Sequence, residues 1–456
     1  MRILMLGWEF PPFIAGGLGV ACYGLTRALD RLGHEVLFIL PKPVDRSQPS
    51  HVRLLSPAQL AEEEGDSEPA IVPAAAEAVR AEAPAYASLP GFERTTFREV
   101  PATFSSPYAE FSPARFVPFS PDAPLESSDP AAAQSPGAAR AFNAGPVGGE
   151  HYGMDLIGDA ERYARLVVAL TRHEKFDVIH AHDWLTFPAG IMLSQVSGKP
   201  FFAQVHSTEF DRAGHNVNQR IFDIERAGMQ AARRVLAVSQ LTKSICVRRY
   251  GIAPNKVEVV YNGIDRENIQ PAPGARVESA DKLVLFLGRI TMQKGPEYFI
   301  AAAKRVLEKV PDVRFVLAGS GDMALRMMDL ANGMGIGQRV LFTGFLRGGD
   351  VEKVFRMADC YVMPSVSEPF GIAALEAISH DVPVIISKTS GASEVLRHVL
   401  KVDFWDTDEM ASKIIAVLSY PALADTLRSH GAMELHKLTW EGAAERCVES
   451  YQAVMH

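Results

Sequence analysis

Cysteine is scarce in this chain. The four cysteines among 456 residues, Cys22, Cys246, Cys360 and Cys447, lie far apart and form no C-x-x-C pair, which argues against a disulfide framework or a zinc knuckle and fits a reducing compartment. Long apolar runs are missing too: no stretch approaches the roughly 20 residues of a membrane span. The opening MRILMLGWEF carries one basic residue and an apolar run far shorter than a secretory h-region, so no leader and a cytoplasmic location are expected. Nor is there an excess of positive charge. Against 54 Asp and Glu stand 46 Lys and Arg, a net charge of −8, which disfavours general nucleic-acid binding and means that an anionic ligand must meet cations placed locally. What the chain does have is length and apolar content. With 47% hydrophobic and 22% charged residues over 456 positions, two or more globular domains are expected, each with its own core.

Short β-branched runs recur, each followed by a helical pattern. Six of them (RILML, HEVLFIL, FDVIHA, PFFAQV, RVLAVS, VEVVYN) precede a polar, proline-containing break at residues 261–282, and six more (KLVLFLG, RFVLAGS, RVLFTG, CYVMPS, VPVIIS, HVLKVD) follow it. Near-continuous apolar strands alternating with amphipathic helices predict parallel sheets covered on both faces. The expected fold class is therefore α/β, with two doubly wound units over residues 1–265 and 266–438 and a last segment over 439–456. Residues 46–150 differ in kind. Seventeen of the 30 prolines fall between positions 41 and 150, among Ala, Ser and Glu, so this stretch buries too little to offset its ordering entropy and reads as an irregular insertion before the helix DLIGDAERYARLVVAL. Its aromatics, in FERTTFREV and TFSSPYAEF, leave open a small lid that orders over a ligand.

The chemistry concentrates at predicted strand ends. SVSEPFGIAALEA sets Glu368 before a helix that begins near Gly371 and Glu376 inside it. The amides of Gly371, Ile372 and Ala373 at that helix end make an anion site. Glu368 can then reach a polar ligand held there, and Glu376, on the face of Ile372, can accept from vicinal hydroxyls; taken alone, the two glutamates read rather as a helix cap and a solvated charge, and it is their neighbours that favour a ligand. FLGRITMQKGP places Arg289 and Lys294 beyond the first strand of the second half, cations suited to a diphosphate. IAGGLGVACYG opens the first helix with Gly16, Gly17 and Gly19, which let the backbone close on a phosphate. The pattern is not a dinucleotide fingerprint, because Cys22 stands where the third glycine belongs and no acid follows the second strand. In FDVIHAHDW the alternating His180 and His182 share a strand face. With only His206 as a further candidate no metal set results, and His182, at the strand end, is the better ligand contact. The D-x-D at Asp406–Asp408 reads as a helix cap.

Together these segments resemble the retaining, nucleotide-sugar-dependent glycosyltransferases of family 4 and the neighbouring family 5 glycogen and starch synthases, over nearly the whole chain outside 46–150. The carriers are the E-x7-E pair Glu368 and Glu376, Arg289 to Gly295, HAHDW, NGID and GGLG, in the expected order. The resemblance implies a GT-B architecture, two Rossmann-like domains around a central cleft, no metal and a terminal helix that crosses back to the first domain. It implies that Arg289 and Lys294 stabilise the departing nucleotide diphosphate, that Glu368 holds the transferred sugar, that His182 contacts it near the reacting carbon and that Glu376 binds the ribose. The donor is expected to be ADP-glucose or UDP-glucose, with a glucan or other glycosyl acceptor. A small or lipid-linked acceptor is one alternative, a phosphorylase or epimerase another, and a non-catalytic glucan- or nucleotide-binding protein a third. Two positions depart from the family: Ile14 replaces the lysine that precedes the glycine pair, and Asp381 replaces a turn glycine that Asp can imitate in the left-handed conformation.

Overall fold

Both faces of the first strand are apolar, and that decides its neighbours. In β1 (Arg2–Leu6) the side chains of Ile3, Leu4, Met5 and Leu6 are all fully buried. Because side chains alternate along a strand, this requires cover on each side of the sheet. The computed structural model describes residues 1–10, 16–41, 95–100, 156–265, 281–346 and 348–455. In it β1 is joined by β2 (Glu35–Pro41), β3 (Thr95–Val100), β4 (Val178–His182), β5 (Phe201–Val205), β6 (Arg234–Ala237) and β7 (Val257–Val259). They form one parallel sheet in the order β3-β2-β1-β4-β5-β6-β7. A second parallel sheet contains β8 (Lys282–Leu287), β9 (Val313–Ala318), β10 (Val340–Gly344), β11 (Cys360–Met363), β12 (Val384–Ser387) and β13 (Leu400–Val402). Its order is β10-β9-β8-β11-β12-β13.

The two doubly wound α/β units read from the sequence are present. The first sheet nevertheless has seven strands where six were expected, because Thr95–Val100, inside the stretch read as irregular, pairs in parallel with β2 (Phe38 opposite Phe97). An edge strand needs only one partner and no long apolar run, so the Pro-rich surroundings hid it. The rest of the 46–150 insertion, most of the 261–282 break and Ile14 lie outside the described residues.

In each sheet the chain reverses its winding direction at one place, between β1 and β4 and between β8 and β11. Such switch points leave a crevice at the carboxyl ends of the strands. The helix Trp440–Met455 follows the second sheet in sequence but packs on the first: Trp440, Ala444, Cys447 and Tyr451 share one buried cluster with Ala21, Leu25 and Leu29 of the helix Gly17–Arg31. Arg31 and Glu441 form an ion pair at 3.0 Å along the same contact. The chain reaches that helix past Ile264, whose amide donates to the Leu438 carbonyl at 2.9 Å. Two local readings hold as well. Asp406 accepts from the Glu409 amide at 2.8 Å and caps the helix Thr407–Ser419, and Asp381 adopts φ 62° in the turn before β12. Among the described residues no helix is long and apolar enough to cross a membrane.

The crossing of the two segments depends on Gly263. A Cβ there would lie 2.2 Å from the Thr439 carbonyl carbon and 2.4 Å from the Trp440 amide nitrogen, backbone atoms that cannot swing aside. Gly263→Ala is expected to cost about 1–3 kcal/mol of stability, read as a lower urea midpoint at unchanged m-value.

Candidate active site

The second sheet supplies the charged part of the site. After β8 the chain passes Arg289, exposed at the strand end, makes a single turn over Met292–Lys294 and enters the helix Pro296–Leu307 through Gly295 at φ 63°. A Cβ at Gly295 would sit 2.3 Å from the Pro364 carbonyl oxygen, so only glycine lets this turn press against the loop that follows β11. The Val366 amide donates to the Gln293 carbonyl at 2.9 Å and completes that contact. Lys294 Nζ then meets Glu368 Oε2 at 2.6 Å, and the Ser365 hydroxyl donates to the same oxygen at 2.9 Å. The Glu368 backbone is pinned on both sides, its amide donating to the Thr389 carbonyl and its carbonyl accepting from the Gly391 amide. The carboxylate is 6% exposed and cannot wander.

Gly371 follows at φ 103°, a conformation natural to glycine, and a Cβ there would collide with Met363 and touch the Glu368 side chain. The helix Ile372–Ser379 starts at once. Among the described residues the amides of Gly371, Ile372 and Ala373 donate to no backbone carbonyl, so the three nitrogens named from the sequence do stand unused at a positive helix end. Glu376 lies one turn deeper, half-buried, with no hydrogen-bond partner for its carboxylate among the described residues. Burial pushes its pKa up to about 7.

The first sheet presents uncharged groups instead. His182 closes β4, fully buried, and its Nδ1 lies 2.9 Å from Nε2 of His206. Burial, then the neighbouring imidazoles, hold His182 well below the usual histidine range, and burial takes His206 down to about 3. Both rings are therefore neutral, and one donates to the other. His182 Nε2 has no hydrogen-bond partner among the described residues. Asp183 stands next, at φ 60°, held in that left-handed conformation by accepting from the amides of His206 at 2.7 Å and Ser207 at 3.4 Å. Burial raises it to about 7, opposed by the His206 amide and by Arg212. Arg212 is itself bound by Glu209 and Glu225, with Tyr250 on the far side of Glu225. His206, weighed in the sequence only as a metal ligand, is a partner of His182. Among the described residues no three His, Cys, Asp or Glu side chains are placed to hold a metal ion.

The two halves meet around these groups. Ser367, beside Glu368, donates to Asp211 Oδ1 of the first domain at 2.6 Å, while Oδ2 of Asp211 accepts from the Thr208 amide and hydroxyl. Ile372 packs against buried clusters of both domains, one that contains Phe370 and Ala374 and one that contains Ala21 and Leu25 of Gly17–Arg31. At the glycine-rich entry of the first domain Gly16 is the extended N-cap of Gly17–Arg31, Gly19 is buried, and among the described residues nothing lies within 4 Å of a Cβ built on Gly17. Glu394 clamps another edge, accepting from the amides of Gln240 (2.8 Å) and Leu241 (2.7 Å) and from the Tyr261 hydroxyl (3.0 Å). The structure thus brings Lys294, Glu368 and the helix-end amides together in the second domain, while Gly16, Gly17, Gly19 and His182 belong to the first. Arg289 shares the carboxyl edge of β8 with the Lys294 turn. The Ser367–Asp211 contact and the Glu394 clamp join residues far apart in the chain; the one local signal was the T-x-x-D capping box at Thr208–Asp211.

Residues 2–81 match the family described as Starch synthase catalytic domain, 130–268 Glycosyltransferase Family 4, and 268–432 Glycosyl transferases group 1. An uncharacterized glycosyltransferase of Methanocaldococcus jannaschii is 27% identical over 100% of this chain and 99% of its own length. The glycogen synthase of Mycobacterium tuberculosis is 24% identical over 99% and 95%. The α-maltose-1-phosphate synthase of Mycolicibacterium smegmatis is 30% identical over 62% and 80%. Among solved structures, sucrose-phosphate synthase from Thermosynechococcus elongatus superposes with a TM-score of 0.70 at 19% identity, covering 99% of this chain and 98% of that one. Two parallel α/β domains with a site at their facing switch points are the GT-B architecture of sugar-transferring enzymes. This chain belongs to the group 1, family 4 glycosyltransferases, with likeness to the starch and glycogen synthases; as such it takes an activated sugar and an acceptor.

Two outcomes follow from the geometry. Ser367→Ala removes one interdomain hydrogen bond without touching Glu368, and is expected to raise the donor KM several-fold while the unfolding midpoint stays in place. Glu376 has a folded pKa of about 7 against an ordinary 4.5, so the native state binds the extra proton and stability falls as pH rises between those values. Relative to the native protein, Glu376→Gln is expected to gain stability from pH 4.5 to pH 7 and to hold a constant difference above it, measured as urea midpoints.

Proposed function

We propose that the protein is a retaining, metal-independent hexosyltransferase that moves glucose from ADP-glucose or UDP-glucose to an α-glucan. The observation that carries this reading is the Lys294–Glu368 pair at 2.6 Å beside a helix end with three uncommitted amides. Breaking the bond between sugar and phosphate builds negative charge on the leaving diphosphate, and preset cations and amides lower that barrier without reorganising. Lys294 and Arg289 meet the diphosphate together with the amides of Gly371, Ile372 and Ala373, and Gly16, Gly17 and Gly19 admit it from the facing side. The open space at Gly17 supports this, since among the described residues no atom there requires glycine. Glu368 accepts from hydroxyls of the transferred glucose, His182 contacts the sugar through Nε2, and Glu376 accepts from the ribose diol.

Oε2 of Glu368 is already engaged by Lys294 and Ser365, which favours same-face attack by the acceptor hydroxyl, its proton passing to the departing phosphate, over a covalent glycosyl-Glu368. The match of residues 2–81 to a starch synthase domain supports a glucan acceptor. The maltose-1-phosphate synthase relative supports a second reading, transfer to a small sugar phosphate.

The test is a panel of UDP-glucose and ADP-glucose against glycogen, maltotriose and glucose 1-phosphate, with analysis of the anomer formed. One pairing is expected to turn over with an α product in the presence of a chelator. Lys294→Ala and Glu368→Ala are each expected to lower kcat about 100-fold or more, the scale of losing one preset charge-stabilising group. The matching nucleotide, UDP or ADP, should raise Tm, as a ligand of the native state does. No turnover with any pairing, or full activity in both variants, would refute the assignment.

A further inference from the structure

Behind His182 a set of polar groups occupies the driest part of the first domain. His180 and His182 alternate along β4 and project from one face. Both are fully buried, their rings stacked with centroids 4.5 Å apart and planes 15° apart. The Tyr451 hydroxyl, on the terminal helix Trp440–Met455, hydrogen-bonds His180 Nδ1. Tyr451 is itself fully buried and packs edge-on against Phe202, with centroids 4.8 Å apart, and against the His180 ring, 5.8 Å apart. His182 has one ring nitrogen on His206 and the other, among the described residues, without a partner.

We infer that Tyr451 is a positioning residue for His182, acting through His180. A stack of two rings has little directional preference of its own, whereas a hydrogen bond does. The Tyr451 hydroxyl fixes the plane of His180, and His180 in turn is the flat wall against which the His182 ring lies, so that His182 Nε2 keeps one heading. Without the hydroxyl, His180 Nδ1 is left buried with no partner, and the ring turns to find one. The consequence for the whole molecule is that a helix reached through the second domain governs the imidazole of the first. Any shift of Trp440–Met455 against Gly17–Arg31 is felt at the cleft. The importance of that heading for catalysis rests on the reading that His182 touches the sugar; the coupling of the three side chains does not.

The experiment compares Tyr451→Phe, the double variant His180→Phe with Tyr451→Phe, and His182→Ala. Long-range proton–nitrogen spectra of the histidine rings of the unliganded full chain read the coupling directly, and the ring nitrogens of His182 are expected to shift in Tyr451→Phe. Turnover is followed with UDP-glucose and ADP-glucose on glycogen. Tyr451→Phe is expected to lower kcat about 10-fold with the donor KM within about two-fold, a loss of alignment rather than of binding. The double variant keeps two flat rings and removes His180 Nδ1 together with the hydroxyl it meets, so neither is left buried without the other, and kcat is expected to recover to within about three-fold of native. Unshifted His182 resonances in Tyr451→Phe overturn the inference, and so does a kcat loss that the double variant does not reverse. Full turnover in His182→Ala overturns the role of His182 instead, with the ring spectra still deciding the coupling.

Discussion

The ion pair between Lys294 and Glu368 is the contact around which the site is arranged. Withdrawing an ammonium and a carboxylate from water is unfavourable unless each meets the other closely and the remaining lone pairs are used. Here the Ser365 hydroxyl takes part of the carboxylate, and the Glu368 backbone is tied to Thr389 and Gly391. The pair joins the turn after β8 to the loop after β11, the two strands that flank the switch point of the second sheet. Its geometry sets demands on neighbours. Gly295 must come within van der Waals reach of the Pro364 carbonyl, and Gly371 must clear both Met363 and Glu368. These glycines are consequences of bringing the two charges together.

The first domain answers with the opposite strategy. His182 and His206 are held neutral by burial, and Asp183 is raised toward neutrality. The charged Lys294–Glu368 pair thus belongs to the second domain and the neutral imidazoles of His182 and His206 to the first. The halves are kept in register at several places at once: Ser367 on Asp211, Ile372 between the clusters, Glu394 on the amides of Gln240 and Leu241, and the terminal helix on Gly17–Arg31. Some are short polar links and others are apolar contacts between helices.

Local patterns in the sequence announced much of this. All twelve strands read from β-branched runs formed; the central ones are buried on both faces and need an unbroken apolar run, and the edge strands β7, β10 and β13 carry enough of one to be read with them. Asp406 was legible as a cap and Asp381 as a glycine substitute, since both effects act within a few residues. The strand Thr95–Val100 was not, being an edge strand inside a proline-rich stretch. Neither was the partnership of His206 with His182: the two lie at the ends of adjacent strands and meet only when β4 and β5 align in register. Asp211 and Ser367 carry no mutual signal across the sequence, and their bond exists only in the docked domains.

By itself the sequence determined the strand and helix pattern, the two-domain α/β class and the residue types gathered at strand ends, because periodicity, turn chemistry and helix capping are properties of short segments. Tertiary structure decided which of those residues touch: that Lys294 meets Glu368, that one imidazole of His182 and His206 donates to the other, and that Tyr451 reaches His180. Such contacts are set by the distance between surfaces after folding, and no spacing along the chain encodes that distance.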